Sequence, residues 1–247
     1  MECARQRIRV LIGLVVLALA AGACSTAIEM AASSTSTLPT STTLVVEKPS
    51  STTTTEPPAT TTTSMALVER CLARAEFDKA ADSPYVLPFP PGDGYSIIQS
   101  YCNDDGSHEN QLAYDFAMPL GSIVAAARGG VVVDVKEDVA DDAHTRYLNY
   151  VVIEHDDGTA GFYAHLQHDG ALVEVGDEVT QGQEIGLSGA TGRTGGPVLH
   201  FGVYSAFPPV DDRDVPVVFS NRDGPLDARG GLREGSFYRA LPYDTVD

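Results

Sequence analysis

Short segments in which apolar and polar residues alternate dominate the chain after about residue 84, and Gly, Pro and Asp turns separate them. A period of two is the pattern of a half-buried β-strand. The predicted strands are centred on residues 97–98, 122–124, 131–135, 150–154, 162–166, 184–187 and 199–204. The sequence His155-Asp156-Asp157-Gly158 predicts a hairpin turn between two of them. We therefore expect an all-β domain over residues 83–247, an open antiparallel barrel or sandwich with a groove along one sheet.

The segments on either side of these strands have other patterns. Residues 65–82 predict a short amphipathic helix, because apolar residues recur there at helical spacing: Leu67, Val68, Cys71, Leu72 and Ala75. After Val210 the chain holds one clear strand, residues 215–219, and a Gly-rich return. We interpret this last part as an extension that covers an edge of the sheet rather than a second domain.

The N-terminal region predicts export. Residues 2–9 are basic and residues 10–20 are apolar, with a length typical of a signal peptide and too short to span a bilayer comfortably. The sequence Ala21-Gly22-Ala23-Cys24 fits both a lipobox and an ordinary Ala-x-Ala cleavage site. A cysteine directly after small residues favours the lipobox. We therefore predict a signal peptide over residues 1–23 and a lipid on Cys24 that anchors the protein to the outer face of the cytoplasmic membrane or to the cell envelope.

Residues 24–64 are mostly Thr, Ser, Ala and Pro. Such a segment has too little apolar surface to fold by itself. As a flexible coil it would span roughly 35 Å end to end, which suits a tether that holds a domain away from a membrane.

Net charge and cysteine count restrict the partners and the cross-links. A net charge of -18 argues against a nucleic-acid partner, because no basic stripe is present to neutralise phosphates. Of four cysteines, Cys3 lies in the predicted signal peptide and Cys24 is the candidate lipid site. The remaining pair, Cys71 and Cys102, is expected to form a disulfide outside the cell, which would contribute roughly 3 kcal/mol. Zinc ligation by this pair is the alternative, and the lack of a nearby Cys-x-x-Cys partner argues against it.

Candidate metal ligands occur in two alternating segments. His108 and Asp115 are seven positions apart, and strand alternation would turn Asp115 away from its apolar neighbours on either side. In the same way His200 would point opposite to Leu199 and Phe201. Two imidazoles and one carboxylate leave a tetrahedral zinc one open position, as in catalytic zinc sites. Spacing alone leaves a second interpretation open, in which these are a turn-capping histidine, a solvated acid and a hydrogen-bonded strand histidine.

These residues stand in blocks that resemble the lysostaphin/LytM-type zinc endopeptidases of bacterial cell walls. The resemblance covers about residues 84–203 and rests on His108 together with six ordered blocks, residues 115–121, 125–132, 163–166, 175–179, 182–183 and 199–201. It implies a LytM-like fold that binds one zinc per chain and acts on peptidoglycan peptides. It also implies that His108, Asp115 and His200 are the zinc ligands and that His165 is a catalytic imidazole beside the metal.

One residue departs from the family's pattern. The family's last motif is His-x-His, in which the first histidine is catalytic and the second binds zinc, and here the first position is Val198. The resemblance therefore implies a zinc endopeptidase that has lost one of two catalytic imidazoles. The alternative is a non-catalytic module that binds peptidoglycan or regulates a separate wall hydrolase, and Val198 is the feature that favours it.

Other segments admit further interpretations. Residues 175–186 also resemble the turns of lipoyl and biotinyl carrier domains, but the folded β region has only Lys136, far from those turns, as an acceptor lysine. The polar loop of residues 137–149, which contains Arg146, could be a groove wall, and its composition favours a solvated loop. Tyr101 could donate a hydrogen bond to a substrate carbonyl, although a core position is more common for such a tyrosine. His155 and His168 adjoin turns and are expected to be hydrogen-bonded or solvated rather than catalytic.

Overall fold

The computed structural model of the protein describes residues 59–104, 106–141, 145–208 and 213–243. The expected signal peptide, the candidate lipid site Cys24 and most of the expected tether lie outside these residues. The described residues belong to one compact unit, residues 54–247. Within them, no helix combines the length and the apolar character needed to cross a membrane.

The described chain folds into one large antiparallel sheet, so the expected all-β class is confirmed. The order of its main path is β11-β12-β1-β2-β9-β6-β5-β4-β7; β10 pairs with β9, and β8 pairs with both β3 and β6. The strands are β1 (Gly94–Gln99), β2 (Ala113–Phe116), β3 (Ile123–Ala125), β4 (Gly130–Lys136), β5 (Asn149–Glu154), β6 (Ala160–Ala171), β7 (Glu178–Val179), β8 (Glu184–Ser188), β9 (Leu199–Tyr204), β10 (Asp214–Val215), β11 (Arg222–Asp223) and β12 (Phe237–Ala240). In the described part of the chain the two ends of the path, β11 and β7, do not pair, and the sheet is open.

Strand alternation places the aromatic and aliphatic side chains in one core, as expected. The apolar residues of β2 and β9 that were predicted to share a face are all fully buried: Tyr114, Phe116, Leu199, Phe201 and Val203. The predicted hairpin also forms, because His155 N–H donates to Thr159 at 2.8 Å and Gly158 adopts a φ of +79°. That backbone conformation is accessible to glycine at little cost. Strands β2 and β9 are therefore held in place by burial of the faces that carry these apolar side chains.

The N-terminal helix differs from the expected range of residues 65–82. Helix α1 is Ala59–Leu72, so it begins inside the segment expected to be a tether. A helix gains one hydrogen bond for each residue added, so extension from residue 65 over six more residues costs little. Its end is set by tertiary contacts, since the Arg74 guanidinium hydrogen-bonds to Asp214 and, at 3.1 Å, to the Asn110 carbonyl.

The predicted disulfide is confirmed. Cys71 on α1 and Cys102 after β1 are bonded, with 5.5 Å between their Cα atoms. Cys102 N–H also donates to the Gln111 carbonyl at 3.0 Å. The disulfide therefore holds α1 against the loop that carries His108.

The C-terminal segment contributes short strands rather than the one strand expected over residues 215–219. β10 is only Asp214–Val215, after which the chain turns inward so that Val217, Val218 and Phe219 are buried. β12 pairs with β1. This segment therefore adds β12 to the sheet beside β1, and its residues 217–219 pack in the core.

Candidate metal centre

Three side chains converge at the junction of β2 and β9. Asp115 Oδ1 lies 2.8 Å from His200 Nδ1 and 3.4 Å from His108 Nε2. The two imidazole nitrogens are 3.1 Å apart. All three residues are buried. The structure therefore brings together the three residues that the sequence nominated as metal ligands.

Strand pairing explains why Asp115 and His200 meet. β2 and β9 are antiparallel neighbours in which Asp115 is paired directly with His200. Directly opposed residues point to the same face of a sheet, with Cβ atoms about 5 Å apart. Because the other faces of both strands are packed in the core, a shift of one residue in this register would bury the carboxylate and the imidazole among aromatic rings.

His108 reaches the centre from a loop rather than a strand. Its carbonyl accepts from the backbone N–H groups of Asn103 and Gln111 at 3.2 and 3.1 Å, which closes the loop around it. Its Nδ1 lies 3.1 Å from the Ser100 carbonyl. Because a carbonyl can only accept, Nδ1 donates to it, and Nε2 is the ring nitrogen that faces Asp115 and His200.

Asp115 is held as a carboxylate. Burial disfavours its charged form, but hydrogen bonds with His108 and His200 outweigh burial and lower the pKa of Asp115 well below its usual range. Gln99 adds a further contact: its Nε2 donates to Asp115 Oδ2 at 3.2 Å, and its Oε1 accepts from the His108 backbone N–H at 3.0 Å. Gln99 thus connects the carboxylate to the His108 loop.

His165 stands beside these three residues because β6 bulges at that point. Asn149 pairs with Leu166 and Tyr150 with Ala164, which leaves His165 as an extra residue, and its φ is +62°. A positive φ is costly for histidine and persists only where surrounding structure enforces it, often at functional sites. The His165 ring centre is 6.1 Å from that of His200. Burial lowers the pKa of His165, so that its imidazole is neutral near pH 7.

Thr191 holds the bulge in place. Its carbonyl accepts from His165 Nδ1 at 2.6 Å, so Nε2 is the nitrogen that can accept a proton. Its Oγ1 accepts from the Asn149 backbone N–H at 3.0 Å and donates to the Leu166 carbonyl at 2.9 Å. Thr191 is almost completely buried. One side chain therefore connects β5, β6 and the loop before β9.

Val198 lies next to the centre, as strand alternation predicts for it. It is buried and lines a cavity of about 180 Å³ together with Asp115 and His165. Its N–H donates to the Gly189 carbonyl at 3.0 Å, which holds the start of β9. An apolar isopropyl group thus lines the same cavity as His165.

A second cavity of about 280 Å³ is lined by His165, His200, Arg146, Arg193 and Leu148, among other residues. The end of the loop of residues 137–149 therefore reaches a cavity through Arg146 and Leu148, as in the groove-wall alternative, while Arg146 stays exposed as expected of a solvated loop. The reason is the hydrogen bond from Asn149 to Thr191, which draws the end of this loop over β6. His144, in the same loop, lies outside the described residues.

The other candidates from the sequence do not reach the centre. The Tyr101 hydroxyl donates to Asp227 on the opposite side of the His108 loop. His155 Nδ1 lies 2.9 Å from the Gly129 carbonyl, and His168 is exposed beside Asp169. The expected structural roles of the two histidines are confirmed.

Sequence reasoning missed four residues around the centre: Gln99, Ser100, Thr191 and Arg193. The contacts of Gln99 and Ser100 depend on how the His108 loop closes, and no local pattern signals them. For Thr191 and Arg193 a weak signal exists, since they stand in the Gly-rich segment of residues 189–196 shortly before β9. Such segments are typical of loops that approach other backbone closely.

The donor set fits a zinc ion. Zinc binds nitrogen and oxygen ligands at about 2.0–2.2 Å in tetrahedral geometry, which places neighbouring ligand atoms about 3.3 Å apart. The three donor atoms here are 2.8, 3.1 and 3.4 Å apart. Asp115 is ionised, and His108 has the tautomer that a ligand through Nε2 requires. Three protein ligands leave one tetrahedral position open.

Comparison with known proteins identifies relatives of this chain. ShyB, a peptidoglycan DD-endopeptidase of Vibrio cholerae serotype O1, is 42% identical over 108 residues, which are 43% of this chain and 24% of ShyB. ShyA, a peptidoglycan DD-endopeptidase of the same organism, is 45% identical over 87 residues, 35% of this chain and 18% of ShyA. The chain thus aligns with a quarter or less of either relative.

Among solved structures, the catalytic domain of the antimicrobial peptidase lysostaphin from Staphylococcus simulans is similar, with 28% identity and a TM-score of 0.36. The similarity covers 51% of this chain and 86% of that domain. The model of peptidase family M23 matches residues 109–212, which include Asp115, His165 and His200. Residues 109–212 therefore resemble a peptidase family M23 domain.

Proposed function

We propose that the protein is a zinc-dependent endopeptidase that hydrolyses peptide bonds in peptidoglycan. The observation that supports this most is the convergence of three donor atoms within 3.4 Å of one another, with His165 beside them. His108, Asp115 and His200 would hold the metal. When bound there, zinc supplies Lewis-acid polarisation of the scissile carbonyl.

His165 is the proposed general acid and base. Its Nδ1 proton is directed at the Thr191 carbonyl, which leaves Nε2 to accept a proton and return it to the leaving amine. Its lowered pKa keeps the ring neutral near pH 7, so that the ring is able to accept a proton. The bulge on β6 and the Thr191 contact orient the ring without help from substrate.

The substrate assignment rests on the relatives. ShyB and ShyA are named peptidoglycan DD-endopeptidases, and they are 42% and 45% identical to 108 and 87 residues of this chain. The two cavities that His165 lines offer room for a peptide chain beside the centre. We further propose that the protein works in the cell envelope, held by a lipid on Cys24.

A second candidate function is supported by Val198. A buried isopropyl group that lines the cavity with Asp115 and His165 cannot move a proton. The second candidate is therefore a wall-binding module that keeps the groove and the metal and acts on a separate hydrolase. We place hydrolysis first because His165 alone can perform both proton transfers.

Metal content is the first test. The full-length protein, purified without chelator, should contain about one zinc per chain by elemental analysis. His200→Ala should lose most of this zinc, whereas His168→Ala, a change at an exposed histidine outside the centre, should keep it. Absence of zinc from the wild-type protein would remove the basis of both candidate functions.

Cleavage of purified peptidoglycan by the zinc-loaded protein is the second test. Wild type should release peptides, and His165→Ala should slow release by about 10² to 10⁴, the usual contribution of a positioned proton carrier. Val198→His should be equal or faster, and Val198→Thr, which keeps the volume without an imidazole, should match wild type. Wild-type protein that binds the wall but releases nothing would favour the binding module. Activity unchanged in His165→Ala would contradict the role assigned to that residue.

A further inference from the structure

Two arginines line the 280 Å³ cavity beside the metal centre. Arg146 comes from the loop before β5 and Arg193 from the loop before β9. Among the described residues, the others that line this cavity include His165 and His200 but neither Asp nor Glu. Arg193 also lines the 180 Å³ cavity, where the one carboxylate, Asp115, is already bonded to the imidazoles. The 280 Å³ cavity is therefore locally cationic.

This cationic lining contrasts with the chain as a whole, whose net charge is -18. Two other arginines of the described residues are in ion pairs, Arg74 with Asp214 and Arg128 with Asp156 and Asp157. Within the described residues, neither Arg146 nor Arg193 has an ion-pair partner, and both are exposed. In so acidic a chain, unpaired guanidinium groups in a groove are available to a ligand with negative charge.

The loops that carry the two arginines are fixed relative to His165. Thr191, two residues before Arg193, accepts from His165 through its carbonyl. The same threonine accepts from the Asn149 backbone N–H, three residues after Arg146. Arg146 is further held over the Tyr147 ring, with its guanidinium carbon 5.2 Å from the ring centre. The backbone supports of both arginines are therefore tied to the residue proposed to carry the proton.

We infer that Arg146 and Arg193 are specificity-determining residues that bind a free carboxylate of the substrate peptide next to the scissile bond. Guanidinium groups match carboxylates with two parallel hydrogen bonds, and two of them around one cavity favour an anion strongly over an amide. The inference rests on the proposed function, because it assumes that a peptide lies across the centre. The carboxylate is either the C-terminus of the peptide or a side chain of the residue beside the cleaved bond.

Binding of one synthetic stem peptide of peptidoglycan tests this inference. Three forms are compared: all carboxylates free, only the C-terminal carboxylate amidated, and only the side-chain carboxylates amidated. Calorimetric titration uses full-length zinc-loaded protein, as wild type, Arg146→Gln, Arg193→Gln and Arg239→Gln. Arg239 is an exposed arginine on β12 that lines neither cavity, and its variant is the matched control.

Wild type and Arg239→Gln should bind the free form about tenfold or more tightly than one amidated form, because a hydrogen bond between charged groups is strong. The amidated form that binds weakly identifies the source of the carboxylate. Arg193→Gln and Arg146→Gln should lose this preference. Equal binding of all three forms, an unchanged preference in both variants, or no binding of the free form would overturn the inference.

Cleavage measured on the same samples separates this inference from the proposed function. Binding that depends on the arginines without release of products would contradict hydrolysis and support the carboxylate site. Cleavage of all three forms at equal rates would support hydrolysis and overturn the carboxylate site.

Discussion

Replacement of Thr191 by valine should destabilise the protein more than its small change in shape suggests. Valine has nearly the same volume as threonine, so the substitution leaves no cavity. It removes the hydroxyl that accepts from the Asn149 N–H and donates to the Leu166 carbonyl, and both of these residues are buried. A buried polar group left without a partner costs about 1–3 kcal/mol. Two such groups predict a loss of about 2 to 6 kcal/mol.

Urea unfolding followed by circular dichroism measures this loss. The protein is kept free of zinc, because a ligand that binds only the native state would add to the free energy of unfolding. Thr191→Ser is the matched control, since it keeps the hydroxyl and removes one methyl group, at about 1 kcal/mol. Equal losses in the two variants, or a valine variant within about 0.5 kcal/mol of wild type, would refute the reasoning.

The same substitution should also slow cleavage. The Thr191 carbonyl still accepts from His165 in the valine variant, but the loop that carries this carbonyl is no longer attached to β5 and β6 through the hydroxyl. The ring of His165 should then occupy its productive orientation for less of the time. Lower activity with an unchanged zinc content is the expected result.

Two further predictions concern stability. Replacing Cys71 and Cys102 by serine should lower the free energy of unfolding by about 3 to 4 kcal/mol, because the disulfide closes a loop over 31 positions, and an unchanged urea midpoint would contradict this. Burial lowers the pKa of His155 in the folded state, so its contribution to stability is fully present above the unfolded pKa of about 6.5 and is lost as the pH falls toward the folded pKa. His155→Gln should flatten the fall in urea midpoint between pH 7 and pH 5, and an unchanged slope would exclude His155 as a source of that fall.

Local sequence determined much of this fold. Alternation with a period of two depends only on neighbouring residues, so it located most of the strands and assigned Asp115 and His200 to the faces opposite their apolar neighbours. The disulfide between Cys71 and Cys102 was predicted because the other two cysteines, Cys3 and Cys24, lie in the N-terminal region. Helix α1 was located with wrong boundaries, because its end depends on contacts of Arg74 with residues distant in the sequence.

Tertiary structure decided how the predicted residues meet. Alternation assigns a side chain to a face, but it does not say which strands pair or in what register, and the pairing of Asp115 with His200 joins positions 85 residues apart. The bulge at His165, the bonds of Thr191 and the approach of Arg146 to the groove depend on β5, β6 and two loops together. The sequence by itself therefore determined which groups could bind a metal. Only packing between distant strands determined that they share one centre, because hydrogen-bond register is a property of strand pairs and not of any one segment.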